Sequence, residues 1–88
     1  MNKYDLLGNW LRRQPGVRVS PSFEDIEDED RIGVKLPLTA RQRPEWWGNE
    51  VSGDSRHVQC LAWLKAGWKV EEVDLAAQTV VFVRDANR

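Results

Sequence analysis

The stretch SRHVQCLAWLKAGWKVEEVDLAAQTVVFVR, residues 55–84, decides the fold class. Ser55 is a good helix N-cap, because its hydroxyl can accept a free backbone N–H, and Gly67 is a natural helix stop. A helix is therefore expected over residues 56–66. Residues 68–75 and 79–84 alternate apolar and polar side chains, the pattern of half-buried strands. Ala76-Ala77-Gln78 lies between them as a turn, so the chain should end in a β-hairpin. A lone hairpin is marginal in water and has to pack on helices.

Working upstream, Tyr4, Leu7, Trp10 and Leu11 recur at helical spacing, and Gln14-Pro15-Gly16 stops that pattern. A first helix over about residues 5–14 follows, with Asp5 positioned to cap its first turn. Val17-Arg18-Val19 suits a short strand that pairs with the hairpin. Ser22 can cap a second helix, with Glu24 and Asp25 in its first turn, where the helix dipole favours negative charge. Phe23 and Ile26 would face inward, and mutual repulsion among the acids should leave the end near Asp30 solvated or frayed. Leu36-Pro37-Leu38 is an extended connector to a third helical segment, from Thr39 or Ala40 through Arg41 and Arg43. Pro44 either opens a new turn or breaks that segment. Gly48 to Asp54 is a polar loop. The order predicts one α+β domain over residues 1–88: three to four helices on a small antiparallel sheet, winged-helix-like.

Eighty-eight residues, 41% hydrophobic and 31% charged, allow one compact core. No apolar run approaches the roughly 20 residues that span a bilayer, and Met1-Asn2-Lys3-Tyr4-Asp5 does not open a signal peptide. The expected location is the cytoplasm of a bacterium or of a phage-infected one. A single Cys60 and a single His57 permit neither an internal disulfide nor a Cys- or His-rich metal site. Their three-residue spacing reads as coincidence on a helix more readily than as a nucleophile pair. GxGxxG, P-loop, HExxH and GxSxG motifs are absent, so no enzyme activity, cofactor or metal is expected.

Several blocks resemble a small bacterial and phage domain of unknown function. They are Lys3-Tyr4-Asp5 with Leu7-Gly8-Asn9-Trp10-Leu11; Ser22-Phe23-Glu24-Asp25-Ile26-Glu27; Leu36-Pro37 with Ala40-Arg41; and Trp46-Trp47 with Asn49. The last runs through His57, Gln59, Ala62-Trp63-Leu64, Ala66-Gly67-Trp68, Val70, Val73-Asp74-Leu75 and Phe82. The resemblance covers nearly the whole chain and implies a single-domain fold without an established activity. Two departures stand out: a longer acidic segment before Gly33, and Gln78 at a position where a turn glycine is usual.

Net charge is −1, but the charge is unevenly spread: +3 over residues 1–19, −5 over 20–34 and +3 over 35–69. On a helical wheel Val58, Leu61, Ala62 and Leu64 share one arc, while Arg56, Gln59 and Trp63 cluster on the other. That second face is either a nucleic-acid recognition surface or a second core contact against Trp46 or Trp47. On the first reading Arg56, Gln59 and Trp63 address DNA in the major groove, and Arg41, Arg43 and Asn49 hold the phosphates. Trp47, His57 and Lys65 complete the nucleic-acid-binding set, and the hairpin of residues 68–84 serves as a wing. The alternative is a protein-interaction module, or a phage inhibitor of a host protein, that uses the acidic run Glu24, Glu27, Asp28, Glu29 and Asp30, or a tryptophan patch. A third possibility is a small ligand in a Trp-lined pocket.

Overall fold

The structure, a computed structural model, describes residues 3–49 and 58–85. Four α-helices, α1 (Asp5–Arg12), α2 (Phe23–Glu27), α3 (Leu38–Gln42) and α4 (Val58–Lys65), accompany a short 3-10 helix, Pro44–Trp47. Strands β1 (Arg18–Val19), β2 (Trp68–Asp74) and β3 (Thr79–Arg84) form one antiparallel sheet in the order β1-β3-β2. The expected α+β architecture, with its C-terminal hairpin and a short strand paired to it, is the observed one. Residues 50–57 and 86–88 lie outside the described residues, and with them the expected Ser55 cap.

Local chemistry explains most boundaries. Ser22 and Asp25 form a reciprocal capping box: the Ser22 hydroxyl accepts the Asp25 N–H at 3.0 Å, and the Asp25 carboxylate accepts the Ser22 N–H at 3.1 Å. α2 then stops at Asp28, and the acidic segment does not fray. The Asp28 carbonyl accepts the N–H groups of Arg31 and Ile32, its carboxylate accepts the Asp30 N–H, and Gly33 turns the chain at φ 87°. Asp5 does not serve as the cap of α1. Tyr4 occupies that position without a side-chain cap bond. Pro44 opens the 3-10 helix at its first position, where a missing N–H costs nothing. Gln78 adopts φ 57°, the left-handed conformation that the hairpin turn requires.

The core is aromatic. Phe23 stacks on Trp47 at 5.3 Å and Trp47 on Trp63 at 6.0 Å, while Phe82 meets Trp63 edge-on at 5.6 Å. Leu7 and Leu11 of α1, Ile26 of α2, Val80 of β3 and Trp68 of β2 are wholly buried in the same cluster. Arg84 lies over the Trp68 ring at 4.5 Å and donates to the carbonyls of Gln14 and Gly16. It thereby ties the exit from α1 to the end of the hairpin. The Trp68 indole N–H is buried and has no partner among the described residues. α1 and α4 cross at Gly8, where a Cβ would lie 2.6 Å from the Ala62 carbonyl oxygen.

Two predictions follow from these contacts. Helix propensity favours Gly8→Ala by about 1 kcal/mol, but the backbone clash should reverse the sign and cost about 1–3 kcal/mol, readable as a lower urea midpoint. Asp25 is the second case. Chiefly because it accepts the Ser22 backbone N–H, its carboxyl is held below the ordinary aspartate range. A depressed folded-state pKa stabilises the native state above the ordinary range, and that contribution disappears as pH falls through the lowered value. Asp25→Asn should therefore lower stability at neutral pH and flatten the decline on acidification through and below the ordinary aspartate range, as read from denaturation midpoints.

Candidate functional site

Of the two readings of this α4 face, the second core contact against Trp46 and Trp47 is the one observed at Gln59 and Trp63. Trp63 is 0% exposed and Gln59 5%. The Gln59 side-chain amide donates to the Trp46 carbonyl at 3.1 Å. Trp47 is 1% exposed, and its indole N–H donates to the Ala40 carbonyl at 2.9 Å. The helical-wheel reading assumes one buried arc. Here α4 lies between α1 and β2, with the 3-10 helix packed over its remaining side. Over residues 59–66 only Lys65 is exposed, and Leu61 is half-buried. A helix enclosed on all sides needs no polar face.

Asn49 joins the layers. Its carboxamide oxygen accepts the Trp63 indole N–H and the Val70 backbone N–H, both at 2.9 Å, and its NH2 donates to the Val70 carbonyl at 2.8 Å. Asn49 thus fills the place of a neighbouring strand at Val70 and satisfies a buried indole, which makes it a core linchpin and not a groove residue. Among the cations, Arg41 is half-buried, ion-paired with Glu27 and placed over the Phe23 ring at 5.7 Å. Glu27 also accepts the Leu36 N–H at 2.9 Å. Arg43, the extended residue between α3 and the 3-10 helix, and Lys65 in the last turn of α4 are both exposed. Arg56 and His57 lie outside the described residues. Cys60 is buried, and that burial pushes its thiol pKa up, away from reactivity.

The acidic candidates fare differently. Glu24, Asp28, Glu29 and Asp30 are exposed, and Glu27 is half-buried against Arg41. Glu24, Glu27 and Asp28 line an open groove of about 430 Å³ together with Arg41 and Gln78. Arg31, itself largely exposed, pairs with Asp25 at 3.0 Å and approaches Asp28 at 4.0 Å.

A larger open cleft, about 580 Å³, lies beside β1, with Trp10 of α1 and Arg13, the residue that caps its end, among the lining residues. Sequence reasoning placed Trp10 on the apolar stripe of the first helix and went no further. The available signal was the short strand next to it, which had only the hairpin as a partner. Among the described residues, no helix is long and apolar enough to cross a membrane, and no three His, Cys, Asp or Glu side chains are grouped to hold a metal ion.

Asn49→Ala should leave the Trp63 indole and the Val70 amide and carbonyl without partners. A loss of about 2–4 kcal/mol is expected from chemical denaturation. A loss of only a few tenths would mean that the three bonds do not hold the layers together.

No curated protein and no solved structure matches the chain. A family model, Domain of unknown function (DUF7662), matches residues 4–86, nearly the full length. The described fold and its aromatic core fall within that span, and the chain belongs to the DUF7662 family.

Proposed function

We propose that this domain is a protein-interaction module that offers the acidic surface of α2 and the turn after it to a cationic partner. One observation carries the reading. Phe23 and Ile26 bury one side of the segment completely, while Glu24, Asp28, Glu29 and Asp30 remain exposed on the other. The capping box and the Asp28-centred turn hold the backbone beneath these carboxylates. Fixed like charges cost self-repulsion in the free protein, and an oppositely charged partner relieves it. Such a surface also steers association.

The DNA-binding reading keeps Arg43 and Lys65 as exposed cations. Binding in the winged-helix manner requires a helix with a free face for the major groove. Trp63, Gln59, Trp47 and Asn49 spend their side chains inside the domain, so the interaction reading is preferred.

The test is a pair of fluorescence titrations, with a labelled oligolysine peptide and with duplex DNA, each at low and high salt. The peptide should bind, perturb the backbone NMR signals of residues 24–30, and weaken at least about fivefold in the Asp28→Asn/Glu29→Gln variant. Tight, steeply salt-dependent DNA binding that survives the double substitution would reverse the preference.

A further inference from the structure

One register runs from Val17 opposite Arg84 to Phe23 opposite Gln78. The Arg84 N–H donates to the Val17 carbonyl at 2.9 Å, the Val80 N–H to the Pro21 carbonyl at 3.1 Å, and the Phe23 N–H to the Gln78 carbonyl at 2.8 Å. In an antiparallel ladder, alternate residues turn their backbone groups to opposite sides. Val17, Val19 and Pro21 therefore address β3, while Arg18, Ser20 and Ser22 present theirs to the outer edge. α2 satisfies the last of these: the Ser22 N–H goes to the Asp25 carboxylate, and its carbonyl accepts the Ile26 N–H at 3.1 Å. The outward N–H and C=O groups of Arg18 and Ser20 have no partner among the described residues.

This open edge borders the 580 Å³ cleft, which Val19, Ser20 and Pro21 line together with Trp10 and Arg13. Asp30 and the Arg31–Asp25 pair also line it, so Arg13 is its one cation without an ion pair among the described residues. Trp10 and Val19 are half-buried and packed on the core, so they offer an apolar wall for a side chain. Arg13 is exposed, and no ion pair among the described residues engages it. The geometry points to a second binding site, in which an extended peptide segment of a partner protein adds to the sheet along β1. It pairs with the backbone of Arg18 and Ser20, places an apolar side chain against Trp10 and Val19, and carries a carboxylate to Arg13. A two-residue edge supplies few backbone bonds, so specificity rests on that apolar contact and that charge. The site goes beyond the acidic-surface reading: neutralising Asp28 and Glu29 leaves the β1 edge intact, and the two can fail separately.

The experiment selects a phage-displayed library of random octapeptides on the full chain. Enriched peptides should combine an apolar residue with an acidic one, and their binding should slow amide exchange at Arg18 and Ser20 in the unsubstituted protein. Ser20→Pro removes one outward N–H at a position where an edge strand tolerates proline. With thermal stability unchanged, it should weaken the selected peptide about tenfold, and Arg13→Glu should do the same. Three outcomes would overturn the proposal: no enrichment, peptide binding without added protection at Arg18 and Ser20, or concentration-dependent protection of those amides in the protein alone. The last would make the occupant a second copy of this chain.

Discussion

The Asn49 carboxamide fixes where α4 can lie. It holds the Trp63 indole on one side and the Val70 backbone on the other, so helix and sheet are joined through one side chain. With Trp63 in that orientation, its ring completes the stack Phe23–Trp47–Trp63, and Phe82 closes on it from β3. The stack draws in the 3-10 helix, whose Trp47 is anchored in turn to the Ala40 carbonyl of α3. A buried indole without an acceptor is costly. The position of Asn49 is therefore a requirement of the core, and the order of the layers follows from it.

This arrangement also accounts for five tryptophans in a chain of 88 residues. Four short α-helices and a three-stranded sheet enclose little aliphatic volume, and large flat rings fill the space between layers with few residues. Polar groups that looked available for a ligand, Asn49 and Gln59 among them, are consumed in satisfying those rings and the carbonyls beside them. What remains for outside chemistry is displaced to the periphery, to the outer side of α2 and the edge of β1.

Much of the fold is legible in residue chemistry. Ser22 followed by Asp25 specifies the start of α2, the alternation after Gly67 specifies the hairpin, and Pro44 marks where α3 gives way to the 3-10 helix. Gln78 at a glycine-like turn position has the positive φ that such a turn demands. The site was less legible, for two reasons. Helical periodicity identifies a buried arc but does not say whether another element covers the opposite arc. The sequence therefore leaves Gln59 and Trp63 open between a recognition surface and a second core contact, and the structure shows the core contact. Charge clustering likewise takes no account of long-range pairing. Arg41 looked like a phosphate ligand until Glu27, fourteen positions earlier, turned out to hold it. A buried indole N–H favours a nearby acceptor, which Asn49 supplies to Trp63 and the Ala40 carbonyl to Trp47, whereas Trp68 has none among the described residues.

The two edges of the sheet are treated in opposite ways. β2 is the longer edge and the greater hazard for uncontrolled pairing. Asn49 occupies its backbone at Val70, an irregularity in register follows between Val70 and Glu72, and exposed Glu71, Glu72 and Asp74 add charge along the strand. Among the described residues, β1 has no comparable cover at Arg18 and Ser20. Its Arg18 guanidinium instead reaches across the sheet to Glu71 at 2.5 Å. The two-residue length of β1, the charge of Arg18 and Pro21 just beyond the strand limit unselective pairing by a different route. The long edge is thus occupied and charged, while among the described residues the outward groups of Arg18 and Ser20 on the short edge stay open beside Trp10, Val19 and Arg13.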